Sequence, residues 1–183
     1  MNILVVGDSY AAAREADTGK DEGWPKFLGV PAELNLGVSG STADEWARNK
    51  DGRLQHAASI KPGSGIVVIS LLGNDALKAW EDKKVTANEV FMGLWGLRVV
   101  VSKLKQARTY VLMYPDPYCG KRPEIAMAVP ILNGAIRAAC LGLDVEFVDL
   151  SMLLKPAHFD GKDIHPTRAG HAYLATKLRE LFK

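Results

Sequence analysis

The stretch Asn2-Ile3-Leu4-Val5-Val6-Gly7-Asp8-Ser9 decides the fold. Its aliphatic, partly β-branched run has no polar alternation, which suits a strand covered on both faces, as in a parallel sheet with helices above and below. Such folds place ligand sites at the carboxyl ends of their strands. Ser9 then stands at the mouth of a cleft, at a helix start whose backbone N–H groups favour negative charge. Taken alone, Asp8-Ser9 reads better as a simple helix cap, since both residue types are favoured there.

Working outward, four further apolar stretches read as strands, at 33–36, 66–72, 110–114 and 145–150, after the first at 3–6. Helical patterns lie between them. Thr42-Ala43-Asp44-Glu45 is a capping box opening a segment towards Ile60, which the Asp51-Gly52 pair interrupts. From Thr86 to Ala107, Val90, Leu94, Leu97, Val101 and Leu104 form one helical stripe. Thr167 caps a last helix whose Leu174, Leu178 and Leu181 face the core. Alternating β and α units imply parallel strands with right-handed crossovers.

The 183 residues suit one domain, 1–183, and 48% hydrophobic with 24% charged residues is ordinary for a soluble globular chain. A formal charge of +2 with scattered Lys and Arg gives no footprint for nucleic acid or an anionic membrane, so a small-molecule partner is expected. No segment has the length and apolarity of a membrane span, and Met1 leads straight into the first strand without a signal-peptide pattern. A cytoplasmic location is the default expectation. Cys119 and Cys140 share no metal-ligand spacing and read as free thiols.

Three more blocks answer the question that Ser9 raises. Asn35-Leu36-Gly37-Val38-Ser39-Gly40-Ser41-Thr42 follows strand two, Leu72-Gly73-Asn74-Asp75 follows strand three, and Asp163-Ile164-His165-Pro166-Thr167 precedes the last helix. Singly each has an ordinary explanation as a turn, a strand end or a surface histidine. Together, and in this order, they resemble the SGNH (GDSL-type) hydrolase family. Trp24-Pro25 adds a resemblance to its thioesterase/lysophospholipase members. The resemblance implies a three-layer α/β/α sandwich with a five-stranded parallel sheet, flavodoxin-like, and a shallow, exposed active site. It assigns Ser9 as nucleophile, His165 as general base, and Ser9 N–H, Gly40 N–H and the Asn74 side chain as oxyanion donors. It implies no metal or organic cofactor. The Gly-x-Ser-x-Gly elbow of the other large α/β esterase family is missing.

The chemistry explains these residue types. A serine hydroxyl is a weak nucleophile until an imidazole takes its proton. As the acyl oxygen becomes an oxyanion, fixed donors must already face its position, and a glycine lets the main chain come close. The side-chain amide of Asn74 is an uncharged donor at any working pH.

The last block departs from the family. The acid usually lies three residues before the histidine, where this chain has Lys162. Asp163, two before His165, is the first substitute, because alternate residues of an extended segment point the same way. Asp160, before Gly161, is the second; a Ser-His dyad and loss of turnover complete the alternatives. Asp75 is expected to order its loop, His56 and His158 to have no catalytic part, and His171 to be able to line the cleft. The segment from Tyr114 to Pro123 should flank the site, its tyrosines stacking on a sugar or covering an acyl chain.

The leading function is a serine esterase acting on small acyl or acetyl esters through an acyl-enzyme. A second is an impaired binding module for acylated or carbohydrate ligands. A third, a flavodoxin-like nucleotide binder, is disfavoured because the first βα loop lacks both glycine-rich phosphate patterns.

Overall fold

The computed structural model describes residues 2–60, 65–81, 86–106, 108–116 and 123–183. Strands β1 (Ile3–Gly7), β2 (Asn35–Gly37), β3 (Ile66–Ser70), β4 (Arg108–Met113) and β5 (Glu146–Asp149) form a five-stranded, all-parallel sheet. Their order is β2-β1-β3-β4-β5. The helices are α1 (Ser9–Ala12), α2 (Trp24–Leu28), α3 (Ala43–Ala47), α4 (Arg53–Ser59), α5 (Gly73–Glu81), α6 (Ala87–Leu104), α7 (Pro123–Ala139), α8 (Leu150–Leu153) and α9 (Arg168–Leu181). α2 packs on α9, and α3 packs on α6, which in turn meets α7. Helices thus cover both faces of the sheet.

The unalternated strand sequences are explained by their burial: every residue of β1 and β3 is buried. The connections leave β1 in one direction to β2 and then cross back to β3. The carboxyl end of β1 is therefore the topological switch point, where open α/β sheets form their crevice.

Several boundaries differ from the sequence reading, each for a local reason. β2 begins at Asn35 because Pro31 opens a short 3₁₀ turn over Ala32–Leu34, leaving three residues to pair with Val5, Val6 and Gly7. β3 stops at Ser70, since Leu72 has φ +99° and its carbonyl accepts from Ala76 N in the first turn of α5. β5 stops at Asp149, whose carboxylate caps α8. The segment after Thr42 breaks at Asn49 and Asp51, both with positive φ, and the capping box at Thr42 and Glu45 is present.

The α6 stripe holds at Leu97, Val101 and Leu104, which are buried, while Val90 is exposed; Ala107 lies outside the described residues. On α9, Leu174 and Leu178 are buried but Leu181 is 45% exposed, and Phe182 takes the core position beside Tyr110. Among the described residues no helix is long and apolar enough to cross a membrane.

Candidate active site

Gly7 makes the turn from β1 into the site possible. Its φ is +143°, and a Cβ there would lie 1.8 Å from the Ser70 carbonyl oxygen. Asp8 N–H donates to that same oxygen at 2.9 Å, which joins the ends of β1 and β3. The Asp8 carboxylate caps α1 through Tyr10 N–H, so the capping role belongs to Asp8 and leaves the Ser9 hydroxyl available.

Ser9 Oγ lies 2.8 Å from His165 Nε2. The other ring nitrogen, Nδ1, lies 2.5 Å from Asp163 Oδ1, which also accepts from His165 N–H at 3.0 Å. Asp163 is thus the carboxylate against the imidazole, and this hydrogen bond, before all other causes, pulls its pKa down to about 2. Asp160 is engaged elsewhere: its Oδ1 accepts from the backbone N–H groups of Lys162 and Asp163, shaping the loop that presents Asp163. Ser9 and His165 are both largely buried, and Tyr10 supports the segment by donating to the Ile164 carbonyl at 2.6 Å, its ring 5.4 Å from that of His165.

Asn74, in the first turn of α5, donates from Nδ2 to the Ser41 carbonyl at 3.0 Å. One of its two amide hydrogens remains for another acceptor. Ser41 in turn donates from Oγ towards the Gly7 and Val38 carbonyls, so one serine gathers the ends of β1, β2 and β3. Gly40 precedes it, exposed and at φ +82°. Asp75 accepts from Ala43 N–H at 2.9 Å, so it orders the start of α3, an element distant in sequence from its own loop.

Beneath Ser9 lies a polar network that sequence reading missed. The Tyr114 hydroxyl donates to Asp8 Oδ2 and accepts from Gly73 N–H at 2.9 Å. Burial pushes the Asp8 carboxyl up to about 6 and the Tyr114 phenol well above its ordinary value. Asn133 of α7 clamps the Tyr114 backbone, accepting from its N–H at 2.9 Å and donating to its carbonyl at 2.8 Å. Tyr114 is therefore a buried part of the site floor rather than a loop aromatic. Its place at the end of β4 was the available signal; Asn133 had none. The remainder of that segment, 117–122, with Tyr118 and Cys119, lies outside the described residues.

The other sequence expectations separate cleanly. His171 does not line the cleft: it donates from Nε2 to the Arg14 carbonyl at 2.9 Å and packs against Gly23, with burial lowering its pKa to about 4. His158 stacks on Tyr173, and His56 is exposed on α4. Cys140 is buried, its thiol pushed up to about 11. Trp24 donates to the Tyr10 carbonyl at 2.9 Å, fixing the helix that carries Ser9. Among the described residues no group of three or more His, Cys, Asp or Glu side chains is placed to hold a metal ion.

A cleft opens beside Ser9 between α5, the end of β4 and α7. Ser9, Asn74 and Tyr114 lie at its base, and Leu77, Val129 and Leu132 in its walls.

Comparison with known proteins follows this geometry. The acetylxylan esterase Axe2 from Geobacillus stearothermophilus shares the fold with a TM-score of 0.71 at 19% identity, over 98% of this chain and 93% of that one. LAE5, an alpha/beta hydrolase enzyme from the metagenome of Lake Arreo, Spain, does so with a TM-score of 0.69 at 16% identity, over 98% and 93%. Catalytic mutants of Axe2 replace a serine, an aspartate and a histidine, the aspartate three positions ahead of the histidine. No curated protein sequence matches the chain. Residues 5–173 match the GDSL-like lipase/acylhydrolase family, a span that runs from the first strand into the last helix and takes in all four sequence blocks. The chain therefore belongs to that family and is a carboxylic ester hydrolase.

Proposed function

We propose that the protein cleaves small acyl or acetyl carboxylic esters by way of an acyl-enzyme formed on Ser9. The observation that carries this reading is the unbroken chain Ser9 Oγ–His165–Asp163, with contacts of 2.8 and 2.5 Å. Ser9 Oγ attacks the ester carbonyl carbon as its proton passes to His165 Nε2. Asp163 accepts from Nδ1–H, fixes the ring tautomer and stabilises the imidazolium. The carbonyl oxygen gains negative charge and is met by the N–H of Ser9, the N–H of Gly40 and the free amide hydrogen of Asn74; one such donor contributes roughly 3–4 kcal/mol. The C–O bond to the alcohol then breaks, and the departing oxygen takes the proton from His165. Water repeats the sequence against the acyl-enzyme, giving the carboxylic acid and free Ser9.

The Asp163 contact also favours turnover over the binding-module alternative, whose motive was the missing acid at Lys162. The testing experiment is hydrolysis of short-chain p-nitrophenyl esters by wild type and Ser9→Ala. Loss of all turnover above background by about 10⁴-fold or more, with unfolding midpoints within a few degrees, is the expected result. A Ser9→Ala protein that retained hydrolysis would overturn the assignment.

A further inference from the structure

We propose that Glu15, a fully buried carboxylate that the chemistry does not use, acts with Arg168 as a positioning pair that sets His165 against Ser9. The inference rests on those two being base and nucleophile. The pair stands where both of their segments leave the site: α1 carries Ser9 and runs into the loop 13–23, while Arg168 opens α9 three residues after His165. Four consecutive residues of that loop are tied to the α9 side. The Arg14 carbonyl accepts from His171 Nε2 at 2.9 Å, Ala16 N–H donates to the Pro166 carbonyl at 3.0 Å, and Asp17 Oδ1 accepts from Arg168 N–H at 2.9 Å. Between them, Arg168 Nη1 lies 3.3 Å from Glu15 Oε1 and 3.5 Å from Oε2.

The loop closes over the Glu15 carboxylate and leaves it one direction to face. Thr18 Oγ1 donates to Oε2 at 2.5 Å, Glu15 N–H donates to the Lys20 carbonyl at 2.8 Å, and the Glu15 carbonyl accepts from Gly19 N–H at 2.9 Å. A carboxylate taken out of water needs a cation, and among the described residues the one that meets it is Arg168, whose guanidinium carbon lies 5.3 Å from the Phe27 ring centre. The segment bearing the base requires such an anchor. Asp160 and Asp163 bond within that segment, so they fix its shape and not its distance from Ser9. That distance is set where the segment is fastened to the nucleophile's own element, by Tyr10 at Ile164 before His165 and by residues 14–17 after it. Proton transfer over the 2.8 Å from Ser9 Oγ to Nε2 is sensitive to small displacements, so freeing the first turn of α9 lowers turnover. Neither Glu15 nor Arg168 lines the cleft, which leaves substrate binding unchanged.

The test is kcat and KM for a short-chain p-nitrophenyl ester, with active sites counted by saturating fluorophosphonate labelling of Ser9 in a parallel sample and unfolding midpoints measured alongside. Arg168→Ala should lower kcat per active site about tenfold or more, slow the labelling of Ser9 by a similar factor, and change KM by no more than about twofold. Arg168→Lys, which restores the cation, should return kcat to within about threefold of wild type. Glu15→Gln removes the pair without stranding a buried anion, so it carries the same test if Arg168→Ala does not fold, with an expected loss in kcat of about fivefold. A merely structural pair would move the midpoints and leave kcat per active site alone. A kcat within about twofold of wild type in the folded single variants, a rise in KM with kcat unchanged, or an Arg168→Lys protein as slow as Arg168→Ala overturns the positioning pair while leaving the Ser9 reading intact. A wild-type protein that is neither labelled at Ser9 nor hydrolytic overturns both.

Discussion

Asp163 and Asp160 show how little sequence distance says about which carboxylate orients an imidazole. Both lie within five residues of His165, yet one contacts the ring and the other is spent on two backbone N–H groups. Asp163→Asn is therefore expected to fold and to lose at least about 10²-fold in kcat, whereas Asp160→Asn stays near wild type on the same ester. Steady-state kinetics on the two variants reads this directly, and the reverse order would move the acid to Asp160. Tyr114 is a positioning residue of another kind, since its hydroxyl ties the residue before Ser9 to the residue before Asn74. Tyr114→Phe leaves a buried carboxylate oxygen and an amide N–H without that partner, so the spacing of nucleophile and oxyanion donor relaxes. We expect kcat to fall about tenfold with KM changed less, because the loss is felt at the transition state. An equal rise in KM with kcat unchanged would assign Tyr114 to substrate binding instead.

The junction of β1 with α1 depends on the absence of a side chain at Gly7. A methyl group there meets the Ser70 carbonyl, and the φ of +143° is itself costly for any other residue. Gly7→Ala is expected to lower stability by about 3 kcal/mol or more, or to prevent folding, as measured by urea denaturation. A wild-type midpoint would contradict this account of the β1–β3 junction. The five strand runs, the capping box at Thr42 and the cap at Thr167 were legible because they rest on local patterns, unalternated aliphatic runs and a Ser or Thr at a helix start, whereas the capping box at Thr86 and the order of the strands came with the structure. The four blocks carrying Ser9, Gly40, Asn74 and His165 were legible only together, through their resemblance to the family, since each alone reads as a cap, a turn, a strand end or a surface histidine. What stayed hidden depends on partners far along the chain. Asp8 and Tyr114 are 106 residues apart, and Asn133 meets Tyr114 from the middle of a helix with no pattern to mark it. The exposure of Leu181 in place of Phe182 likewise follows from where α9 ends against β4, which helical spacing alone cannot give.

Two buried titratable groups, Asp8 and His171, give the folded molecule opposing responses to acid. The raised pKa of Asp8, from 3.8 to about 6, favours folding when the group is protonated, a contribution full below 3.8 and lost as pH rises through about 6. The lowered pKa of His171, from 6.5 to about 4, favours folding when the ring is neutral, a contribution full above 6.5 and lost as pH falls through about 4. Between about pH 6 and 4.5 the two oppose each other, each changing stability by roughly 1 kcal/mol per pH unit. Relative to wild type, His171→Gln should gain stability on acidification over that window and Asp8→Asn should lose it, by about 1.5 kcal/mol in each case. Urea midpoints at the two pH values check this, and parallel responses in all three proteins would contradict it. Asp163, held low by His165, adds a loss only as pH falls from 3.8 towards about 2, below the window used. The fold's central consequence is that the end of β1 and the segment before α9 converge on one hydroxyl. The most direct measurement is therefore intact-mass spectrometry with peptide mapping after treatment with an alkyl fluorophosphonate. One adduct per chain on Ser9, slowed by about two orders of magnitude or more in Asp163→Asn, is the predicted result. Labelling at another residue, or an unlabelled protein that still hydrolyses esters, would contradict the account.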